Sequence, residues 1–172
     1  MTTPVSSPTA IVRIRPLMKT EIAALARAIP DELTEGQVAN RWREQEIGFR
    51  EVLVAEVEGE LVGTVSIRKT ADPWASMHLF ALEVSPERRG QGIGRTIVEH
   101  VLEEARGRGC GRVFLEVRVD NPARRLYHRL GFRRVGDSFV NSYWHFDDHG
   151  GQQRVEELSY RMVKRLRPVA IL

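Results

Sequence analysis

Three glycines alternate in Arg88-Arg89-Gly90-Gln91-Gly92-Ile93-Gly94-Arg95, where an apolar run ends and an amphipathic helical pattern begins. The run before it, Leu79-Phe80-Ala81-Leu82-Glu83-Val84, has the length and apolar content of a buried strand, and Ser85-Pro86 closes it. After it, Ile93, Ile97, Val98, Val101, Leu102 and Ala105 recur at helical spacing, leaving Arg95, Glu99, Glu103 and Arg106 on the wet side. The glycines therefore sit where a strand hands over to a helix. Without Cβ atoms, alternate glycines let backbone N–H groups converge on a ligand, and the helix start adds free donors and the positive dipole end. With arginines on both flanks, the turn suits a phosphate or pyrophosphate; a plain tight connection is the alternative.

Spacing narrows the phosphate ligand. The dinucleotide fingerprint G-x-G-x-x-G fails, because starting from Gly90 its last glycine falls on Arg95. A P-loop would need its first glycine at Arg89 and lacks the lysine.

The rest of the chain predicts alternating strands and helices. Ile11 to Arg15 reads as a strand, and Thr20 as the cap of a helix with the stripe Ile22, Leu25 and Ile29. Thr34 caps a second helix whose apolar edge is Val38, Trp42 and Ile47. Val52 to Val57 and Leu61 to Ile67 form a hairpin about Glu58-Gly59-Glu60. Beyond the glycine turn and its helix come a loop over Gly107 to Gly111 and a strand from Val113 to Val119. Asn121 and Pro122 read as N-cap and first residue of a helix ended by Gly131. Phe132 to Phe146 and Arg154 to Arg165 form a closing hairpin around Asp147-Asp148-His149-Gly150-Gly151. This order predicts a mixed sheet covered by helices.

Composition excludes several classes. A length of 172 residues suits one domain, expected over 11–172, with a disordered N-terminal arm over 1–10 that is rich in Thr, Ser and Pro. That arm lacks the order of a signal peptide, and no stretch reaches transmembrane length, so a cytoplasmic protein without a membrane partner is expected. The single cysteine, Cys110, excludes an internal disulfide and a multi-cysteine metal site, and its flanking glycines predict a loop. A net charge of +3 without basic runs interleaved with aromatics gives no reason to expect nucleic acid. His145, Asp147 and His149 would share a strand face, but their segment is also ordinary hairpin-turn chemistry, so no metal is expected.

Arg89-Gly90-Gln91-Gly92-Ile93-Gly94 matches Arg/Gln-x-x-Gly-x-Gly/Ala, and resembles the acetyl-CoA signature of the GNAT superfamily of N-acetyltransferases. The resemblance extends through Leu115-Glu116-Val117-Arg118, Asn121 and Leu126-Tyr127-His128-Arg129-Leu130-Gly131-Phe132. It implies a single-domain α/β (α+β) fold: a mixed, mostly antiparallel sheet of about seven strands flanked by about four helices. Its two central strands would splay at their C-terminal ends to admit the pantetheine arm. It implies acetyl-CoA as cosubstrate, an amine acceptor that is a small molecule or a peptide or protein, direct attack in a ternary complex, and the homodimers common among related proteins. A non-catalytic acyl-CoA-binding or regulatory module is the alternative.

The resemblance also distributes roles. Arg89, Gly90, Gln91, Gly92, Ile93, Gly94 and Arg95 would cradle the pyrophosphate, and Leu82 and Val84 would meet pantetheine through their backbone. A backbone N–H near Val84 would hold the oxyanion. Asn121 would touch pantetheine, although an N-cap explains it equally. Tyr127 would protonate the departing sulfur, against the alternative of a buried ring. The base stays open between Glu116, on a strand face with Phe114 and Arg118, and His78, whose unperturbed pKa near 6.5 suits the task. Glu83 or a water chain are further options.

Overall fold

The computed structural model describes residues 10–167; the expected arm, apart from Ala10, and the last five residues of the expected domain lie outside them. Seven strands form one sheet: β1 (Val12–Pro16), β2 (Glu51–Val57), β3 (Glu60–Lys69), β4 (Ser76–Val84), β5 (Arg112–Arg118), β6 (Arg133–Phe146) and β7 (Gln152–Arg165). Four helices accompany them: α1 (Ile22–Ala28), α2 (Glu35–Glu46), α3 (Ile93–Gly107) and α4 (Arg124–Arg129). The strand order is β1-β2-β3-β4-β5-β7-β6, with only the β4–β5 neighbours parallel. The expected mixed, mostly antiparallel sheet is thus present. No helix among the described residues is long and apolar enough to cross a membrane.

Each face of the sheet carries its own core. The stripe of α3 lies with Leu53, Val65, Met77, Leu79, Val113, Leu115 and Val117 in the larger core, which Tyr127 and Phe132 extend beneath α4. On the other face Val52 and Val54 pack with Leu25, Ile29 and Val38 from α1 and α2. A helix that buries one stripe derives most of its stability from such packing rather than from intrinsic propensity.

Several local expectations need correction. Thr20 lies in a 3-10 turn, Lys19–Glu21, and caps nothing; Glu21 instead bonds the Met18 N–H at 3.0 Å and the Arg15 guanidinium at 2.6 Å. Thr34 caps α2 as expected, accepting from the Gln37 N–H at 3.1 Å, whereas Ile47 lies past that helix and is 80% exposed. Asn121 and Pro122 are not N-cap and first helical residue, because their carbonyls accept from Arg124 and Arg125 in i to i+3 turns that delay α4 to Arg124. Gly107 ends α3 rather than opening the loop, and Cys110 is a buried loop residue.

Two irregularities shape the centre of the sheet. β4 and β5 pair only from Ser76 to His78 against Arg112 to Phe114, and then part. In β4 the register against β3 slips between Thr64 and Ser66, where Ala81 takes a left-handed backbone, φ 51°. That bulge reverses the alternation of side chains. Met77 and Leu79 face α3 before it, Leu82 and Val84 after it, and His78, Phe80 and Glu83 share the opposite face.

Candidate active site

The glycine turn links the end of β4 to the start of α3. Gly90 and Gly92 both have left-handed backbones, φ 77° and 82°, and a Cβ built on either meets nothing within 4 Å. The conformation calls for glycine, and the space above the turn is open. The first backbone bond of α3 runs from the Thr96 N–H to the Gly92 carbonyl at 3.1 Å. The N–H groups before it have no intrahelical acceptor and sit at the positive end of a 15-residue helix. Gly94 lies at a junction, where an added Cβ would come within 3.5 Å of Leu126 on α4 and 3.8 Å of Val84 on β4. Arg89 turns back to the Val84 carbonyl at 3.2 Å, Gln91 donates to the Glu87 carbonyl at 3.4 Å, and Arg95 pairs with Glu99 at 2.9 Å. The three side chains are exposed, and weak surface bonds of this kind leave them free to turn to an anion.

The parting of β4 from β5 leaves the β5-facing backbone groups beyond His78 without a strand partner. An extended, amide-bearing ligand would restore that lost ladder. Leu82 and Val84 lie along this stretch and are half buried against the α3-side core. Asn121 spends its side-chain oxygen on the Ala123 N–H at 2.9 Å.

On the opposite face the two leading base candidates touch. His78 Nε2 and Glu116 Oε2 lie 2.6 Å apart, tying β4 to β5 at the base of the cleft. The imidazole is sandwiched between Phe80 and Phe114, with ring centroids at 4.7 and 4.6 Å. Arg68 brings a guanidinium nitrogen to 3.5 Å from Nδ1. Guanidinium only donates, so in the neutral ring Nδ1 accepts and the proton sits on Nε2, directed at Glu116. The other oxygen of Glu116 accepts from Arg161 at 2.9 Å. Burial by itself would raise the Glu116 carboxyl, but His78 and Arg161 outweigh it and hold Glu116 below its ordinary value. Glu83 is engaged elsewhere, in a two-pronged pair with buried Arg41 at 2.7 and 2.8 Å.

Tyr127 is not brought to this pair. It lies in the core on the α3 and α4 side, 6% exposed and edge-on to Phe132 at 5.9 Å. Burial pushes its phenol up to about 12, so it holds its proton at neutral pH. His145, Asp147 and His149 form no metal cluster among the described residues. The Asp147 carboxylate is occupied by the His149 and Gly151 N–H groups of its own turn, at 2.9 and 2.6 Å.

Sequence reasoning missed Arg68 and Arg161, and placed Phe114 only on the strand face of Glu116, not beside His78. Arg68 stands opposite His78 across β3–β4, Phe114 beside it across β4–β5, and Arg161 opposite Glu116 across β5–β7. Only the strand register makes them neighbours. Each is unremarkable along the chain.

The acetyltransferase (GNAT) family matches residues 21–132. N-acetyltransferase 8 of Mus musculus is 40% identical over 92 residues, which are 51% of this chain and 40% of that protein. The chain therefore spans about four-tenths of the length of such curated relatives. Among solved structures, the ribosomal-protein-S18-alanine N-acetyltransferase from Escherichia coli superposes with a TM-score of 0.68 at 21% identity, over 94% of this chain and 97% of that one. The structure of yncA from Salmonella typhimurium, determined with its cofactor acetyl-CoA, gives a TM-score of 0.63 at 22% identity, over 92% and 96%. At such identities the likeness is one of fold.

Proposed function

The chain belongs to the acetyltransferase (GNAT) family, and on that premise we propose that it transfers the acetyl group of acetyl-CoA to a primary amine, by direct attack in a ternary complex. The acceptor is a small molecule or a peptide or protein amine. One observation carries the reading: the cleft between β4 and β5 has an open glycine turn at its β4 end and a hydrogen-bonded His–Glu pair at its base.

The turn fits a pyrophosphate. Its unfilled Cβ positions, free N–H groups and helix dipole are what a diphosphate requires. Arg89 and Arg95, tied only by exposed bonds, add charge there. Leu82 and Val84 meet pantetheine through backbone groups left unpaired by the splay, and an N–H near Val84 polarises the thioester carbonyl. One such donor contributes about 2.7 to 4 kcal/mol to the transition state. With its oxygen committed to Ala123, Asn121 can offer the ligand only its amide N–H group.

An ammonium acceptor must lose a proton before it attacks. The His78–Glu116 pair takes it, as one coupled unit rather than as two rival residues. Arg161 keeps Glu116 ionised, and Arg68 and the two phenylalanine rings fix the imidazole. Nitrogen then bonds to the carbonyl carbon and the carbon–sulfur bond breaks; Tyr127, which burial keeps protonated at neutral pH, passes its proton to the departing thiolate, and the proton left on the acylated nitrogen restores the phenol. Cys110 gives no support to an acetyl-enzyme route, since burial pushes its thiol up and keeps it protonated.

Initial-rate kinetics over varied acetyl-CoA and amine, with products identified by mass spectrometry from an amine and peptide library, tests this reading. Intersecting lines and acetylated amine are expected. Parallel lines would overturn direct attack, and stabilisation by CoA without product on any acceptor would overturn the enzyme.

A further inference from the structure

In this chain an arginine commonly has an acid beside it. Arg15, Arg41, Arg50, Arg108 and Arg161 each hold a carboxylate oxygen at 2.5 to 2.9 Å. One region departs from that rule. A groove of about 540 Å³ lies between α4 and the β6–β7 ribbon, with Arg124, Arg125 and His128 on one wall and Arg133 and Arg134 on the other. No acidic residue lines it, and none of its four arginines forms an ion pair among the described residues.

Neutral groups hold these side chains in place. Arg124 donates to the Asn121 carbonyl at 3.0 Å, and Arg133 to the His128 and Phe132 carbonyls at 3.0 and 2.8 Å. Arg134 donates to the Gly136 carbonyl and the Ser138 hydroxyl, both at 3.2 Å, and its guanidinium lies 4.6 Å from the centre of the Tyr160 ring. Such bonds use part of a guanidinium's five donors and neutralise none of its charge. Arginines gathered without acids repel one another, and a bound polyanion removes that cost. The groove is also separate from the glycine turn. At about 3.6 residues per turn, Arg124, Arg125 and His128 share one side of α4, and Leu126 points to the other, where it packs beside Gly94.

We propose that this groove binds a small, multiply phosphorylated anion of nucleotide size, at a site distinct from the β4–β5 cleft. Its volume of about 540 Å³ lies within the range of small-ligand pockets, about 300 to 1,000 Å³. Guanidinium forks on two walls match phosphate oxygens two at a time. Four of them call for more negative charge than one phosphate group carries, about −1.5 to −2 at neutral pH, and a chain of phosphates supplies it. Tyr160 and Met162 form a largely apolar floor for the uncharged body of the ligand.

Calorimetry of the full chain with inorganic tripolyphosphate and with ATP, each titrated alone and with excess CoA present, tests the proposal. One equivalent of probe is expected to bind in both conditions. Binding of both probes, or of tripolyphosphate alone, marks the phosphate chain as the ligand; binding of ATP alone marks a nucleotide. Arg125→Glu and Arg134→Glu should each weaken it by about tenfold or more, with CoA affinity unchanged and circular dichroism confirming the fold. Arg43→Glu, the same change of charge on exposed α2, should leave it unaltered. The proposal falls if neither probe binds, if CoA displaces the probe, or if a short RNA oligonucleotide binds more tightly than either. It falls equally if the groove variants bind like the native chain, lose no more than Arg43→Glu, or lose CoA as well. Failure of CoA itself to bind would strike the donor reading and leave this test intact, since the variants read the groove without it.

Discussion

The two faces of the central sheet solve different problems with different kinds of sequence information. On the α3 side, the glycine turn, Leu82, Val84 and the helix start lie within 17 residues of chain, from Phe80 to Thr96, and their arrangement follows from local backbone rules. On the α2 side, His78, Glu116, Arg161, Arg68 and the Arg41–Glu83 pair come from five separate elements. In the function proposed, the first face holds a ligand whose shape is given and the second tunes a proton. Ligand cradles can be local because backbone donors are available at any helix start, whereas a tuned carboxylate needs charges that only tertiary structure brings together.

Perturbing each face should separate the two tasks. The largest effect is expected for Gly92→Val, since a β-branched residue is strained at φ 82° and its side chain enters the open space above the turn. Calorimetry should show CoA binding abolished in a folded protein; tight binding would refute the cradle. Next is Arg41→Ala, which strips the partner from Glu83 beneath α2 and should cost about 3 to 5 kcal/mol in urea denaturation, while leaving the glycine turn intact. Tyr127→Phe should lower turnover by about 10²-fold with CoA affinity little changed, because a general acid acts in the transition state. Unaltered thiol release with a good acceptor would remove Tyr127 from its role.

The smallest effect is one of pH on stability. Glu116 has a folded pKa below its unfolded value, so its pairing with His78 and Arg161 stabilises the protein above the ordinary carboxylate range and is lost as pH falls through the lowered value. The stability gap between the native chain and Glu116→Gln should therefore be present at neutral pH and close in acid. A gap that stays constant with pH would mean that the carboxylate is not held by its partners.

The same contrast explains what the sequence made legible. Alternating glycines, the α3 stripe and the final hairpin are written in adjacent residues, and the mixed sheet covered by helices followed from the succession of strands and helices; the place of β7 between β5 and β6 did not. The Ala81 bulge was not legible: alanine has no preference for a left-handed backbone, and the run from Leu79 to Val84 carries no turn residue. Strict alternation puts His78 on the face of Phe80 and Leu82, and the bulge replaces Leu82 there with Glu83. Glu116 and His78 were each visible as candidate bases, but their contact depends on a parallel pairing of three residues per strand between segments far apart in sequence. The delayed start of α4 has a similar cause, since Asn121 takes up an i to i+3 turn that its good capping chemistry does not distinguish from a helix start.

In the proposed division of labour the turn holds the donor and the His78–Glu116 pair removes the amine proton. Measuring both functions in one preparation of Glu116→Gln tests it directly, with CoA affinity from calorimetry and turnover from acetyl transfer to an acceptor amine. The expected result is unchanged affinity with turnover reduced by about 10²- to 10⁴-fold. Turnover equal to that of the native chain would contradict the account.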